Sequence, residues 1–350
     1  MKIILTGGGT VGHVSPNIAL ISGLKDAGFN IYYIGSKQGL ERNIAEANDL
    51  EYFGISSGKF RRYASIKNIT DLFRIGAGFF QSLKILRKVK PDIVFSKGGF
   101  VVVPVVLAAW LLRIKCVIHE SDITPGLATK ICSRFAKVIF YSFEETKNYL
   151  RGNLIFTGIP IKPDIHNGEK EAALQLAGFK KEGNPVLLIT GGSQGSKVIN
   201  EAVIKSLDLL LEKFRIIHIA GSGNKSGIIK ENYAEIEFTH CMNDFYSAAD
   251  IVLSRAGAST LFELLTLKKP HLLIPLPLHA SRGDQILNAE SFKKKNFSQV
   301  LPEENLEDLV NELDILYTNR EKYIEAMGKY ETQNPSEIIL KSIADLLDNK

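Results

Sequence analysis

The sequence predicts an α/β protein built as two parallel-sheet domains in tandem. Three observations carry this: short β-branched runs alternate with longer amphipathic segments, the alternation stops and restarts once, and glycine-rich turns follow several of the short runs. In the first half the runs are Lys2–Thr6, 30–34, Ile93–Ser96, 116–119 and Val138–Tyr141, which read as strands of one parallel sheet. The rhythm restarts at 185–190 and continues through 215–220, Ile251–Ser254 and 271–274, a second sheet. Between them, residues 157–164 (Thr-Gly-Ile-Pro-Ile-Lys-Pro-Asp) interrupt both periodicities and read as a hinge. The expected domains are 1–158 and 159–350. The charged, helix-patterned segment 315–347 either caps the second domain or crosses back to the first. Open parallel sheets bind ligands at the carboxyl ends of their strands, so a cleft between two such domains is where function is expected.

Composition agrees with this class. The chain has 350 residues, of which 45% are apolar and 23% charged, with a net charge of +5, so a disordered chain is excluded. Cys116, Cys132 and Cys241 are scattered and form no zinc-type grouping, which fits a reducing compartment. The longest uncharged apolar stretch, 100–112, has 13 residues, whereas a membrane-spanning helix needs about 20. It reads as a buried helix. The amino-terminal apolar run is too short for a signal peptide, and the expected protein is soluble. No long basic run or aromatic repeat points to nucleic acid.

The first strand enters Gly7 Gly8 Gly9 Thr10 Val11 Gly12 His13 and then a helix-like stretch, 14–24. Gly7, Gly9 and Gly12 have the G-x-G-x-x-G spacing, in which glycines allow close approach and a helix start offers N–H groups to an anion. A dinucleotide enzyme places an acid after its second strand, but that strand ends Ile34 Gly35 Ser36 Lys37, which weighs against NAD. The second half repeats the device: a strand, Gly191 Gly192 Ser193 Gln194 Gly195 Ser196, then a helix from Lys197, with another glycine turn at 220–223. Closing tight αβ connections is the simpler use of such glycines; several of them in two domains suggest a phosphorylated ligand opposite an acceptor. The strand Ile251–Ser254 ends in Arg255 Ala256 Gly257 and opens a helix at Ala258, Ser259 and Thr260, with Glu263 one turn on. A carboxylate there repels phosphate but accepts hydrogen bonds from a ribose diol; equally, it is simply favoured by the helix dipole. A polar turn, 281–285, opens a further helix and is placed to reach the same cleft.

Six of these segments in order resemble the MurG family of glycosyltransferases: 6–13, 96–100, 119–122 with Pro125 Gly126 Leu127, 191–195, 254–257 and 283–289. The resemblance covers essentially the whole chain. It implies a GT-B glycosyltransferase, two Rossmann-like domains facing across a cleft, that moves N-acetylglucosamine from its UDP donor to the C4 hydroxyl of MurNAc in undecaprenyl-pyrophosphoryl-MurNAc-pentapeptide (lipid I), giving lipid II. The 1–158 domain would take the acceptor and face the membrane, and 159–350 the donor, its last helix crossing back. By position, the family's donor site falls on Ser193 and Gln194 (phosphate), Glu263 (ribose), Thr239 and Met242 (uracil), Ala258, Ser259 and Thr260 (diphosphate) and Gln285 (sugar). Thr10, Val11, Gly12 and His13 form the acceptor loop. Asp122 stands where many members have an asparagine that contacts the donor sugar, Lys162 where many have arginine, and Val11 where glycine is common. Lysine loses arginine's bidentate fork, and aspartate can accept but not donate.

The resemblance implies no cofactor and no metal, the departing UDP being held by helix starts and Lys162. His13 is the expected base, since a helix start disfavours its protonation, with an acceptor-orienting role as the rival reading and Asp122 as the second candidate base. His119 and Glu120, in apolar context, read as a buried structural pair. A basic and aromatic stretch, 59–63 with 72–90, is expected to contact anionic lipid, although the spacing of Leu72, Ile75, Phe79, Leu83 and Leu86 fits core packing equally. This puts the protein at the cytoplasmic face of the cell membrane, with other cell-wall synthesis proteins as possible partners. Alternatives are a glycolipid glycosyltransferase or a UDP-sugar epimerase on the same fold, or a non-catalytic nucleotide-sugar-binding membrane adaptor.

Overall fold

The computed structural model describes residues 1–9, 12, 14–58, 66–330 and 334–348, without the side chains of 66–69. The chain forms two compact units, Met1–Lys162 together with Thr332–Lys350, and Pro163–Glu331. The division falls inside the glycine- and proline-broken segment 157–164.

The first unit is built on β1 (Lys2–Thr6), β2 (Asn30–Ser36), β3 (Glu51–Ile55), β4 (Ile93–Ser96), β5 (Lys115–Glu120), β6 (Val138–Tyr141) and β7 (Leu154–Phe156). Its seven strands are parallel in the order β3-β2-β1-β4-β5-β6-β7. The order reverses between β1 and β4, the topological switch point of a Rossmann-type sheet. Alternate residues of each interior strand feed opposite cores. Ile4, Val94, Ile118 and Ile139 pack with Leu83 and Leu86 of the helix Ile66–Val89 and with Val105 and Val106 of Val102–Leu111. On the other face Ile3, Leu5, Phe95 and Val117 meet Leu20, Leu24 and the carboxy-terminal helix Pro335–Asp348 through Ile339 and Ile343. Fully burying one such side chain is worth about 1.5–3 kcal/mol, so this amphipathic last helix belongs to the first core. Gly23 is where it seats: a Cβ there would lie 2.5 Å from Leu340.

The second unit repeats the plan with β8 (Val186–Thr190), β9 (Arg215–Ile219), β10 (Tyr233–Ile236), β11 (Ile251–Ser254), β12 (His271–Leu273) and β13 (Gln299–Val300), all parallel in the order β10-β9-β8-β11-β12-β13. Its switch point lies between β8 and β11. Leu187, Ile189, Ile216 and Leu253 form one core layer, and Val186, Leu188, Ile217 and Val252 the other.

Nine interior strands are those that the sequence predicts. The four it does not, β3, β7, β10 and β13, are the four sheet edges. Interior strands of parallel sheets are buried on both faces and read as unbroken apolar runs. Edge strands such as Glu51–Ile55 and Tyr233–Ile236 carry charge and partial exposure, and give no such signal. The helix-like stretch 14–24 is two short helices, Ser15–Ala19 and Ile21–Asp26. Segment 315–347 is the end of Leu309–Thr318, then Arg320–Gly328 and Pro335–Asp348. Among the described residues, no helix is long and apolar enough to cross a membrane.

Candidate functional site

In the second unit, the turn 191–196 leaves β8 with Gly192 and Gly195 at φ 88° and 75°. A Cβ on Gly195 would lie 2.0 Å from the carbonyl oxygen of Ala220, and one on Gly221 would lie 2.5 Å from that of Gln194. The turns after β8 and β9 therefore rest backbone on backbone, which only glycine permits. Ser193 and Gln194 are left exposed on the outside of this turn. Ser196 caps the helix Lys197–Lys205, its Oγ accepting the Ile199 N–H at 3.4 Å.

The same Oγ accepts a bond of 2.7 Å from Nη2 of Arg255. Arg255, 8% exposed, follows β11 directly. Its Nη1 donates to the Ile274 carbonyl at 3.1 Å, and Nη2 lies 2.5 Å from Oε1 of Glu303. Arg255, three residues before the helix Ala258–Thr266 that carries Ala258, Ser259, Thr260 and Glu263, thus ties the turn after β8 to the turn after β12 and to Glu303. The end of β12 leads to Gln285, whose Oε1 accepts the Leu276 N–H at 3.1 Å, leaving the amide NH2 as the end that can donate. Thr239 accepts the Cys241 N–H at 3.0 Å and precedes the helix Met242–Ala248. In that helix the buried Tyr246 donates its hydroxyl to Oε2 of Glu263 at 3.0 Å. Among the sequence-predicted residues, the turns and helix starts after β8, β11 and β12 thus gather Ser193, Gln194, Ala258, Ser259, Thr260, Glu263 and Gln285 at one sheet end, and Tyr246 ties the Met242 helix to Glu263.

In the first unit, the Gly8 N–H donates to the Gly98 carbonyl at 3.3 Å, and a Cβ on Gly99 would lie 2.1 Å from the Gly8 carbonyl oxygen. The turns after β1 and β4 are therefore in contact. Tyr33 props the loop from below, its hydroxyl donating to the Gly7 carbonyl at 2.9 Å and accepting from Asn17 at 3.2 Å. Gly12 is half-buried; Thr10, Val11 and His13 lie outside the described residues, as do residues 59–63 of the basic stretch.

Two readings of this region change. The acid found missing after β2 arrives from the next helix: Glu41 of Leu40–Glu46 is fully buried, and its Oε1 accepts the Ser36 N–H and O–H at 2.8 and 2.6 Å. Its other oxygen is buried without a partner, and a Cβ on Gly8 would strike the carboxylate. Glu41 folds under the glycine loop and is not offered at the strand end, which is why the strand's own sequence did not reveal it. Second, His119 and Glu120 are both buried but do not form a pair. Glu120 accepts the N–H groups of Ser121, Asp122 and Gly126 at 2.9, 3.1 and 3.3 Å, shaping the loop that presents half-buried Asp122. His119 Nδ1 faces the ammonium of Lys97 at 2.8 Å, and its Nε2 lies 2.8 Å from the Gly158 carbonyl. An ammonium only donates, so Nδ1 accepts and Nε2–H donates. Burial, then the Lys97 charge, hold the His119 pKa well below its usual value, and the ring stays neutral. Lys97 itself is 1% exposed and also donates to Ser121 Oγ; burial lowers its pKa to about 8, against the opposing pull of Glu120 and Asp122. Lys162 is exposed. Lys97, Arg255, Tyr246 and Glu41 were not singled out from the sequence. Lys97 and Arg255 did carry a signal: each directly follows a buried strand, Ile93–Ser96 or Ile251–Ser254, where a buried cation needs polar partners.

The amino-terminal domain profile of glycosyltransferase family 28 matches residues 3–141 and its carboxy-terminal domain profile matches 186–343. The chain belongs to glycosyltransferase family 28. Relatives match along the full length: the "UDP-N-acetylglucosamine--N-acetylmuramyl-(pentapeptide) pyrophosphoryl-undecaprenol N-acetylglucosamine transferase" of Clostridium botulinum strain Hall is 50% identical over 352 residues, covering 99% of this chain and 98% of the relative. The enzyme of the same name from Lachnospira eligens is 48% identical over 350 residues, covering 98% of this chain and 99% of the relative. In fold, the family 28 chain matches the Acinetobacter baumannii MurG crystal structure with a TM-score of 0.75 at 24% identity, over 98% of this chain and 99% of that one. It also matches a kitacinnamycin glycosyltransferase at 0.76 and 13% identity, over 99% and 98%. The two-sheet α/β architecture is that of GT-B glycosyltransferases.

Proposed function

We infer that this chain transfers N-acetylglucosamine from UDP-N-acetylglucosamine to the C4 hydroxyl of MurNAc in lipid I, forming lipid II. The observation that carries this is half-identity along the entire chain to transferases of that name, with both Gly-turn sites inside the matched segments. The donor belongs to the second unit. Its diphosphate meets Ser193, Gln194 and the helix start at Ala258, Ser259 and Thr260, its ribose Glu263, its base Thr239 and Met242, and its sugar Gln285. This reading is supported by the way Arg255 and Tyr246 hold those groups in place. The acceptor belongs to the first unit, at the loop of Thr10, Val11, Gly12 and His13 and the turn 98–100.

In the reaction, the acceptor C4 oxygen attacks the anomeric carbon from the face opposite UDP. The C4–O–C1 bond forms as the C1–O bond to the β-phosphate breaks, inverting the α-linked donor to a β-1,4 product. The C4 proton passes to His13, and UDP leaves with the bonding pair, its charge met by the N–H groups of residues 193–195 and 258–260. His119 is not a rival base, because its ring is buried and both nitrogens are engaged.

The membrane reading rests on the helix Ile66–Val89. Its stripe divides: Leu83 and Leu86 are core, whereas Leu72, Phe73 and Phe80 are 58, 76 and 70% exposed, and Trp110 of the adjoining helix is 56% exposed. Arg74, Lys84, Arg87 and Lys88 are exposed on the same helix. Such a surface suits shallow insertion into anionic lipid at the cytoplasmic face of the membrane, where lipid I and other cell-wall synthesis proteins would be met.

The decisive assay combines the protein with UDP-N-acetylglucosamine and a short-chain lipid I analogue. Disaccharide product is expected. UDP release without it would overturn the assignment, and faster turnover with UDP-glucose would redirect it to glycolipid synthesis. His13→Ala should lower turnover by at least about tenfold, and near-normal turnover would remove His13 as the base.

A further inference from the structure

Glu263 does not stand alone. The hydroxyl of Tyr246 lies 3.0 Å from its Oε2. Tyr246 is 1% exposed, so its hydroxyl is shielded from solvent. Its position follows from the sequence: in the helix Met242–Ala248 the neighbours Phe245 and Ala248 are buried with it against Val186, Leu188 and Val252 of the sheet. The ring is therefore locked by core packing while its one polar atom reaches a half-buried carboxylate on a different helix.

We propose that Tyr246 is the positioning residue that makes the nucleotide site selective for a ribose over a deoxyribose, by fixing the Glu263 carboxylate in the orientation that accepts from both sugar hydroxyls. The inference rests on the reading of Glu263 as the ribose acceptor and deepens it. A carboxylate on a flexible three-torsion stem can accept from a single hydroxyl in many orientations. Accepting from a vicinal diol requires its plane to be set, because two donors at fixed spacing must meet two oxygens. Each oxygen has two lone-pair directions, so the Tyr246 bond sets the plane without consuming the capacity to bind the diol. The donor is permanent: burial, and secondarily the neighbouring carboxylate, hold the phenol far above its ordinary pKa, so it keeps its proton at every working pH. The helix Met242–Ala248 also starts at Met242, so one rigid element would support the base at one end and the ribose through its middle.

The test compares binding of UDP and 2′-deoxy-UDP to the full chain by calorimetry, for wild type, Tyr246→Phe, Glu263→Gln and the double variant. Wild type should favour UDP. Tyr246→Phe should reduce that preference by about three- to tenfold, the net loss of one hydrogen bond, with the effect falling on the donor KM more than on kcat. The double variant should discriminate no worse than Glu263→Gln alone, since both changes act through one carboxylate. An unchanged ratio in Tyr246→Phe beside a reduced one in Glu263→Gln would make Tyr246 ordinary core and overturn the proposal while leaving the ribose reading intact. An unchanged ratio in Glu263→Gln would overturn the reading itself, and the proposal with it. Should Tyr246→Phe fail to fold, Tyr246→Met, also lacking the hydroxyl, gives the same comparison.

Discussion

The two units solve one local problem with two different cations. At each switch point the register is the same: Thr6 pairs with Ser96 in the first sheet, and Thr190 pairs with Ser254 in the second. Three glycines follow Thr6 and two follow Thr190, and a cation follows each serine, Lys97 in one unit and Arg255 in the other. Both are buried, but their surroundings differ. Arg255 has a carboxylate partner, a capping serine and a main-chain carbonyl, which together match most of its forked donors. Lys97 contacts a neutral imidazole and a hydroxyl, with Glu120 and Asp122 acting only through space. Arg255 is a fixed clamp between turns, whereas Lys97 is a charge held close to neutrality.

The largest expected effect would break or establish that contrast. Arg255→Met leaves Glu303, whose side chain is 15% exposed, without its partner, and should destabilise by about 3–5 kcal/mol in urea titrations. UDP affinity should fall with it, because the cap at Ser196 loses its anchor. A loss no greater than that of Lys97→Met at pH 7 would make the two cations equivalent.

Lys97→Met should behave otherwise. Its folded pKa of about 8 lies below the ordinary 10.5, so between those values the unfolded chain carries the proton and the folded chain does not. Stability then rises with pH across that window, and below it the buried charge is a cost. Relative to Lys97→Met, the wild type should gain up to about 3 kcal/mol between pH 7 and 10.5. A difference that stays flat with pH would mean that Lys97 is as firmly charged as Arg255.

The glycine contacts sharpen the comparison from the ligand side. Gly99 (φ 83°) and Gly195 (φ 75°) each sit where a Cβ would strike a carbonyl oxygen, at 2.1 and 2.0 Å. Alanine at either should cost about 1–3 kcal/mol of strain. The kinetic signatures should separate: Gly195→Ala weakens UDP binding by about fivefold or more, while Gly99→Ala raises the KM for the lipid acceptor at nearly constant UDP affinity. The reverse pattern would exchange the substrates between the units.

Both halves of this duplication were legible because parallel strands buried on two faces leave an apolar run, and a glycine turn after such a run is hard to mistake. The sheet edges were not, since β13 has two residues and β10 is four residues interrupted by Glu235. In the site, what was legible lies on the turns themselves. What was missed lies beneath them: Glu41 reaches Gly8 from the following helix, and Tyr246 reaches Glu263 across 17 residues of chain. Such contacts depend on how helices are laid against a sheet, which local periodicity does not encode. Lys97 and Arg255 are intermediate cases, visible as cations in apolar surroundings but with partners set by tertiary packing.

The smallest expected change in stability carries the last contrast between the units. Phe73 and Phe80 stand seven residues apart on one face of a helix flanked by cations, whereas Ile229 of the second unit, 96% exposed, follows a loop beside a single lysine, Lys230. Replacing any of them by serine removes almost no buried surface, so unfolding midpoints should move by no more than about 0.5 kcal/mol. Vesicle binding should tell them apart. Phe73→Ser with Phe80→Ser should release the protein from vesicles containing phosphatidylglycerol, and Ile229→Ser should not, because insertion needs contiguous apolar area backed by positive charge and not one exposed side chain. Equal losses from both variants, or none from either, would remove the first unit's claim to the membrane and leave its exposed phenylalanines as plain surface.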